Sequence, residues 1–231
     1  MRLSTRLLSV LALVATLGFT TGCSDDNNAV APTPTGRILA VHASPDAPAV
    51  NLLVDGTTAG TGLTYPNNTA YLTVNAGSRN IKVNPTATPT VSAIDANVNV
   101  ASGASYTVWA VNFLSAIEPV VTTDDLTAPA TGKSHVRFVH LSPNAPAVDV
   151  ALDGGAVVFG NVSFKQATAF TPLTAGVYDL EVRLAGTSTV VLDLDPITLT
   201  AGKIYTAFAK GSAAASPPVG QELGAGIIVN N

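Results

Sequence analysis

Sulfur and charge are almost missing from this chain. Its 231 residues include one cysteine, one methionine and one tryptophan, and only 11% are charged. A lone cysteine excludes an intrachain disulfide and any cysteine-rich metal or redox centre. Glutamate is confined to Glu118, Glu181 and Glu222, and histidine to three positions. No Lys/Arg cluster occurs anywhere, so nothing supplies the phosphate neutralisation that nucleic-acid affinity rests on. Long apolar runs are missing too. The longest, Leu7–Phe19, is 13 residues, where a membrane-spanning helix needs about 20. No stretch of ten residues carries a good amphipathic helix pattern. What is abundant is Thr, Val, Gly, Pro and Asn, a composition that favours strands and turns.

The N-terminus reads as an address. Arg2 and Arg6 precede the short apolar run, which fits a signal-peptide core over residues 1–22. The run leads to Thr20-Thr21-Gly22-Cys23, which resembles the lipobox of bacterial lipoproteins, with Thr20 where leucine is usual. That resemblance implies cleavage before Cys23 and lipid attachment to it. Several acyl chains on one cysteine give stable anchoring, whereas one chain binds marginally. Removal of the signal leaves 9 basic and 15 acidic residues, a net charge of −6. Ser24, followed by Asp25-Asp26, resembles lipoproteins sent to the outer membrane and, in some cases, to the cell surface. Residues 23–36 form a Pro/Thr-rich tether of about 3 Å per residue.

Beyond the tether the chain says everything twice. "RILAVHASPDAPAVNLLVDG" (37–56) aligns with "HVRFVHLSPNAPAVDVALDG" (135–154) at an offset of 98. At an offset of 99, 62–83 lies over 161–182 and 98–112 over 197–211. A period near 100 is domain-sized and too long for a solenoid unit. The expected units are residues 37–126 and 135–231, joined through "TTDDLTAPATGKS" (122–134). In the first copy strands are expected over 37–42, 49–54, 69–74, 79–84, 94–100, 105–111 and 117–122, and "GAGIIVNN" supplies the last strand of the second. Asp55-Gly56, Ala76-Gly77 and Ser102-Gly103 punctuate them, as do their second-copy counterparts. The expected fold is all-β: two tandem antiparallel β-sandwiches, immunoglobulin-like or prealbumin-like.

The pattern V-R-F-V-H-x-S-P-x-A-P-A-V-D-V-x-x-D-G, with A-G-x-Y-x-L-E-V-R and A-G-K-x-Y-T behind it, resembles the domain-of-unknown-function 4397 family. The resemblance covers nearly everything from Arg37 onward. It implies an extracytoplasmic β-rich module, often in tandem, and brings no catalytic residues.

The repeated phrase invites a chemical reading. His42 and Ser44, like His140 and Ser142, are two residues apart and would share a strand face. A serine nucleophile also needs an orienting acid, and Asp46 is replaced by Asn144 in the second copy. The prolines instead suggest a strand end re-aimed into the next strand, with buried, hydrogen-bonded histidines. The histidines should share a face with Ile38 and Ala40, or Val136 and Phe138, leaving Arg137 on a wet face. No zinc spacing occurs. Asp124 and Asp125, with Asp46, Asp55 or Asp153, are the candidates for a calcium site, and no acidic pair for glycoside hydrolysis repeats. The paired aromatics Tyr65/Phe164, Tyr71/Phe170, Tyr106/Tyr205 and Trp109/Phe208 suit a core, with Trp109 expected to be partly exposed. No catalytic, metal or cofactor residue is assigned; Cys23 is the one site residue. The expected protein is a membrane-anchored, non-enzymatic envelope module with a protein or glycan partner. A polysaccharide-capturing accessory and a hydrolase using His42/His140 are its rivals.

Overall fold

The computed structural model describes Pro32–Asn231; the signal segment 1–22, Cys23 and most of the tether lie outside the described residues. Thr33–Asn231 forms one compact unit. The first copy contributes β1 (Thr35–His42), β2 (Val50–Val54), β3 (Thr57–Leu63), β4 (Leu72–Asn75), β5 (Gly77–Pro85), β6 (Ile94–Val100), β7 (Ser105–Val111) and β8 (Glu118–Asp124). The second contributes β9 (Lys133–His140), β10 (Val148–Leu152), β11 (Val157–Val162), β12 (Thr171–Thr174), β13 (Gly176–Tyr178), β14 (Leu180–Leu184), β15 (Val190–Asp193), β16 (Ile197–Leu199), β17 (Ile204–Lys210) and β18 (Gly224–Val229). No helix among the described residues is long and apolar enough to cross a membrane.

The protein is all-β, with a two-sheet sandwich in each copy. In the first, the sheet β4-β1-β7-β8 faces the sheet β3-β2-β5-β6. In the second, β12-β9-β17-β18 faces β11-β10-β14-β15, with β13-β16 as a separate ribbon. The sheets are not purely antiparallel: β1 runs parallel to β7, and β9 to β17. The chain passes through the opposite sheet between these strands, so it re-enters beside the first strand in the same direction. The strand Thr57–Leu63 was absent from the sequence expectation. Its "TTAGTGL" has little apolar signal, and it lies at a sheet edge with two register shifts. The Asp55-Gly56 turn before it has φ of 49° and 79°, the doubly positive pair that a tight hairpin needs.

Three apolar cores result. One fills the first sandwich around Ile38, Leu52, Ile81 and Val108, and a second fills the other around Phe138, Val150, Phe159 and Leu199. The third joins the copies: Leu39, Val41, Trp109 and Val111 pack with Val139, Leu141, Phe208 and Ile228. Strands β1, β7, β9 and β17 are therefore covered on both faces, one toward their own sandwich and one toward the other copy. Strands of that kind read as unbroken apolar runs, as "ILAV" and "TVWAV" do.

The copies differ along one wall. In the first, β5 and β6 pair without interruption from Gly77 to Val83. In the second, the matching ladder breaks into β14–β15 and β13–β16. Leu194-Asp195-Pro196 fills the break, and proline has no N–H to donate there.

Candidate functional site

The histidines of the two copies are held alike. His42 Nε2 lies 3.0 Å from the Pro48 carbonyl, and His140 Nε2 lies 3.0 Å from that of Pro146. A carbonyl only accepts, so Nε2 carries the proton. Both rings are at most 1% exposed. Burial pushes both imidazoles below their ordinary 6.5, partly offset by the proline carbonyl, so both are neutral at pH 7. Ser142 donates to the Gly211 carbonyl at 2.7 Å, not to His140. Ser44 Oγ makes no hydrogen bond among the described residues. Asp46 accepts the Leu114 N–H at 2.7 Å, and Asn144 accepts the equivalent Ala213 N–H at 2.8 Å. Asparagine serves there as well as aspartate because the position ties one loop to another. No base, nucleophile and acid converge.

The face between the copies is built from residues that the sequence placed elsewhere. Arg137, expected on a wet face, is 2% exposed. Its Nη2 donates to Asp124 Oδ1 at 2.5 Å, Nη1 to the Thr123 carbonyl at 2.9 Å, and Nε to Thr206 at 2.9 Å. The guanidinium also lies 4.6 Å from the Phe170 ring centroid. Asp124 accepts from Tyr71 and Thr107 at 2.6 and 2.7 Å, and Asn230 donates to the Tyr71 hydroxyl at 3.1 Å. Burial and the Asp124 carboxylate hold the Tyr71 phenol well above its usual range. Trp109, expected to be partly exposed, is fully buried; it packs on Phe208 at 5.6 Å and donates to Thr122 at 3.0 Å. Both departures have one cause: the second face of β1, β7, β9 and β17 is an interface rather than a surface.

Other candidates are engaged in separate contacts. Asp125 caps its own turn at Thr127, and Asp55 pairs with Arg79 at 2.9 Å. With Asp124 bound to Arg137, the aspartates considered for calcium do not assemble. Among the described residues no three His, Cys, Asp or Glu side chains are grouped to hold a metal. Glu118 pairs with Lys165 at 2.5 Å, Glu181 with Arg183, and Glu222 accepts the Gly220 N–H. Tyr106 and Tyr205 each accept a backbone N–H from five residues earlier, at 3.3 and 3.1 Å. Tyr65 sits edge-on to His42 at 6.3 Å, as Phe164 does to His140 at 6.5 Å. Burial, then Glu222, raises the Tyr65 phenol to about 12.

A hollow nevertheless exists, and only one copy has it at size. Inside the first sandwich the free space is about 20 Å³. Inside the second, a cleft of about 360 Å³ opens between β15–β16 and β18. A further hollow of about 250 Å³ shares Phe138, Leu192, Gly224 and Ala225 with it and reaches Ala145 and Pro146 of the repeated phrase. The larger one is within the size range of ligand pockets and is mostly apolar, as such pockets are. Its causes lie in the copy differences. The broken wall exposes Leu194 and Ile197 to the interior, and Ala207 and Ala225 stand where the first copy has Val108 and Pro119.

The sequence pattern of a family described as domain of unknown function (DUF4397) matches residues 36–151 and 142–221. The chain belongs to that family. No curated protein matches it. Among solved structures it is similar to one titled "The Bacillus anthracis TIE protein", at 13% identity and a TM-score of 0.25. That likeness covers 78% of this chain and 34% of the other, so the chain spans about a third of that structure's length. The hollow in this tandem DUF4397 chain was missed in the sequence. Its one legible signal is "LDLDP", which interrupts a strand that the first copy keeps whole.

Proposed function

We propose that this protein is a non-catalytic binding module of the cell envelope, anchored through acylated Cys23 and held off the lipid by the tether. Several features support the reading: the signal and lipobox pattern, the duplication, and the spare charge of the folded part. The observation that carries it is the engagement of His42 and His140. Each places its one donor nitrogen on a proline carbonyl at 3.0 Å and holds no serine. The hydrolase alternative loses its base–nucleophile pair: the free Nδ1 of each ring is buried with no hydroxyl on it, and Ser142 donates to the Gly211 carbonyl instead. The polysaccharide-capture alternative loses its aromatic platform, because Trp109 lies inside the shared core. The partner is sought instead at the second sandwich, where the core is open. Membrane fractionation tests the anchor: Cys23→Ala should move the protein to the soluble fraction, and a variant that stays bound refutes lipidation there. Hydrolysis abolished by His42→Asn/His140→Asn, in a variant that still shows the native circular dichroism at the assay temperature, would overturn the non-catalytic reading.

A further inference from the structure

We propose that the open core of the second sandwich binds one aliphatic chain that carries a cationic head, as in a long-chain amine. The proposal rests on the binding-module reading and assigns that module its site and ligand class. Three observations carry it. The hollow is specific to one copy, about 360 Å³ against about 20 Å³, so it is not a general consequence of the fold. It has an apolar neighbour: the two hollows of about 360 and 250 Å³ share Phe138, Leu192, Gly224 and Ala225, so together they offer a channel long enough for a chain rather than a compact ring system. Its mouth is acidic: Asp193 and Asp195 are the only charged residues lining the outer hollow, and no Lys or Arg lines either one. The lips are apolar and wet, with Val191 39% and Ile227 45% exposed. An occupant would cover lining surface that now meets water, which is the favourable term for a chain. The carboxylates at the rim then select the sign of the head.

The far end of the channel meets the repeated phrase and also reaches the surface, at Pro146 and Val191. His140, Ser142, Ala145 and Pro146 line it, and the polar atoms His140 Nε2 and Ser142 Oγ are already bonded to backbone carbonyls. Apart from the buried, unpartnered Nδ1 of His140, that end presents carbon to a ligand, which matches a methyl terminus rather than a second charged group. The head therefore stays at the mouth beside Asp193 and Asp195.

The test uses the full chain carrying Cys23→Ala, purified without detergent so that no attached acyl chain competes. N-phenyl-1-naphthylamine, an uncharged fluorophore, reports occupancy. Dodecylamine, dodecanol and dodecanoate compete below their micelle concentrations. The expected result is one saturable probe per chain. Dodecylamine should displace it at about fivefold lower concentration than dodecanol, the scale of two exposed ion pairs, and dodecanoate should be weakest. Ala207→Leu, or Ala209→Leu should the first not fold, fills the channel and should abolish probe binding while Trp109 emission stays native. Asp193→Asn/Asp195→Asn should keep the probe and lose the amine preference. Absence of saturable binding by a folded chain, binding that survives both leucine variants, or equal displacement by amine and carboxylate overturns the proposal. Each of those results leaves the non-catalytic reading standing, and hydrolysis dependent on His42 and His140 would sink that reading without touching the channel.

Discussion

At the residue scale, the histidines of the repeated phrase act as neutral donors. Each holds its pKa below the unfolded 6.5 because burial disfavours the imidazolium. The folded state then binds fewer protons than the unfolded one near and below pH 6.5, so stability rises with pH in that window. Stability should be fully present above about pH 6.5 and decline as pH falls through the lowered folded values, by up to about 1.4 kcal/mol per pH unit for each histidine. Urea unfolding at pH 7.5 and 5.5 measures this, and His42→Asn/His140→Asn should flatten the difference while lowering stability at both. Arg137 and Asp124 form the other residue-level device. Both side chains are at most 2% exposed, so removing one partner strands a buried charge. Arg137→Leu alone should cost about 3–5 kcal/mol. Leu39 is the first-copy counterpart of Arg137, and Asn230 is the second-copy counterpart of Asp124. The double variant Arg137→Leu/Asp124→Asn therefore installs groups that the fold already accepts, and it should recover at least half of the loss in a double-mutant cycle.

At the element scale, strand existence was largely legible and strand environment was not. Seven of the first copy's eight strands could be read from turn spacing, whereas "TTAGTGL" gave too little apolar signal. The run "ILAV" in β1 carried a clue that alternation concealed. No polar residue interrupts it because Ile38 and Ala40 face one core while Leu39 and Val41 face another. The position of Arg137 in the matching run suggested water only because an arginine usually marks it. Strand order was beyond reach, since no spacing tells that β7 returns parallel to β1. Close packing sets further limits. Gly226 lies opposite Phe208, where a Cβ would stand 2.2 Å from the ring. Gly226→Ala should displace the Phe208 ring from Trp109 and cost about 1–3 kcal/mol, visible as a lower urea midpoint and altered Trp109 emission.

At the scale of the whole molecule, the duplication produced two unequal partners. One face of each copy is consumed by the other copy, which removes Trp109, Phe208 and Arg137 from any role at the surface. The first sandwich is sealed. The second keeps a split wall and small residues on its floor, and its interior stays open where that of the first is filled. The candidate site was illegible for a physical reason: an apolar channel is lined by residues that look like core in any single sequence, such as Phe138, Phe159 and Leu180. Only comparison of the copies in three dimensions separates a filled core from a hollow one.

The packing of the two copies into one body rests most heavily on Trp109, the only tryptophan in the chain. Its fluorescence reports their shared core and nothing else. Urea unfolding followed by Trp109 emission and by far-UV circular dichroism should give one coincident transition, from a blue-shifted native emission that iodide does not quench. Two separated transitions, or a native emission already red-shifted and quenchable, would contradict the shared core.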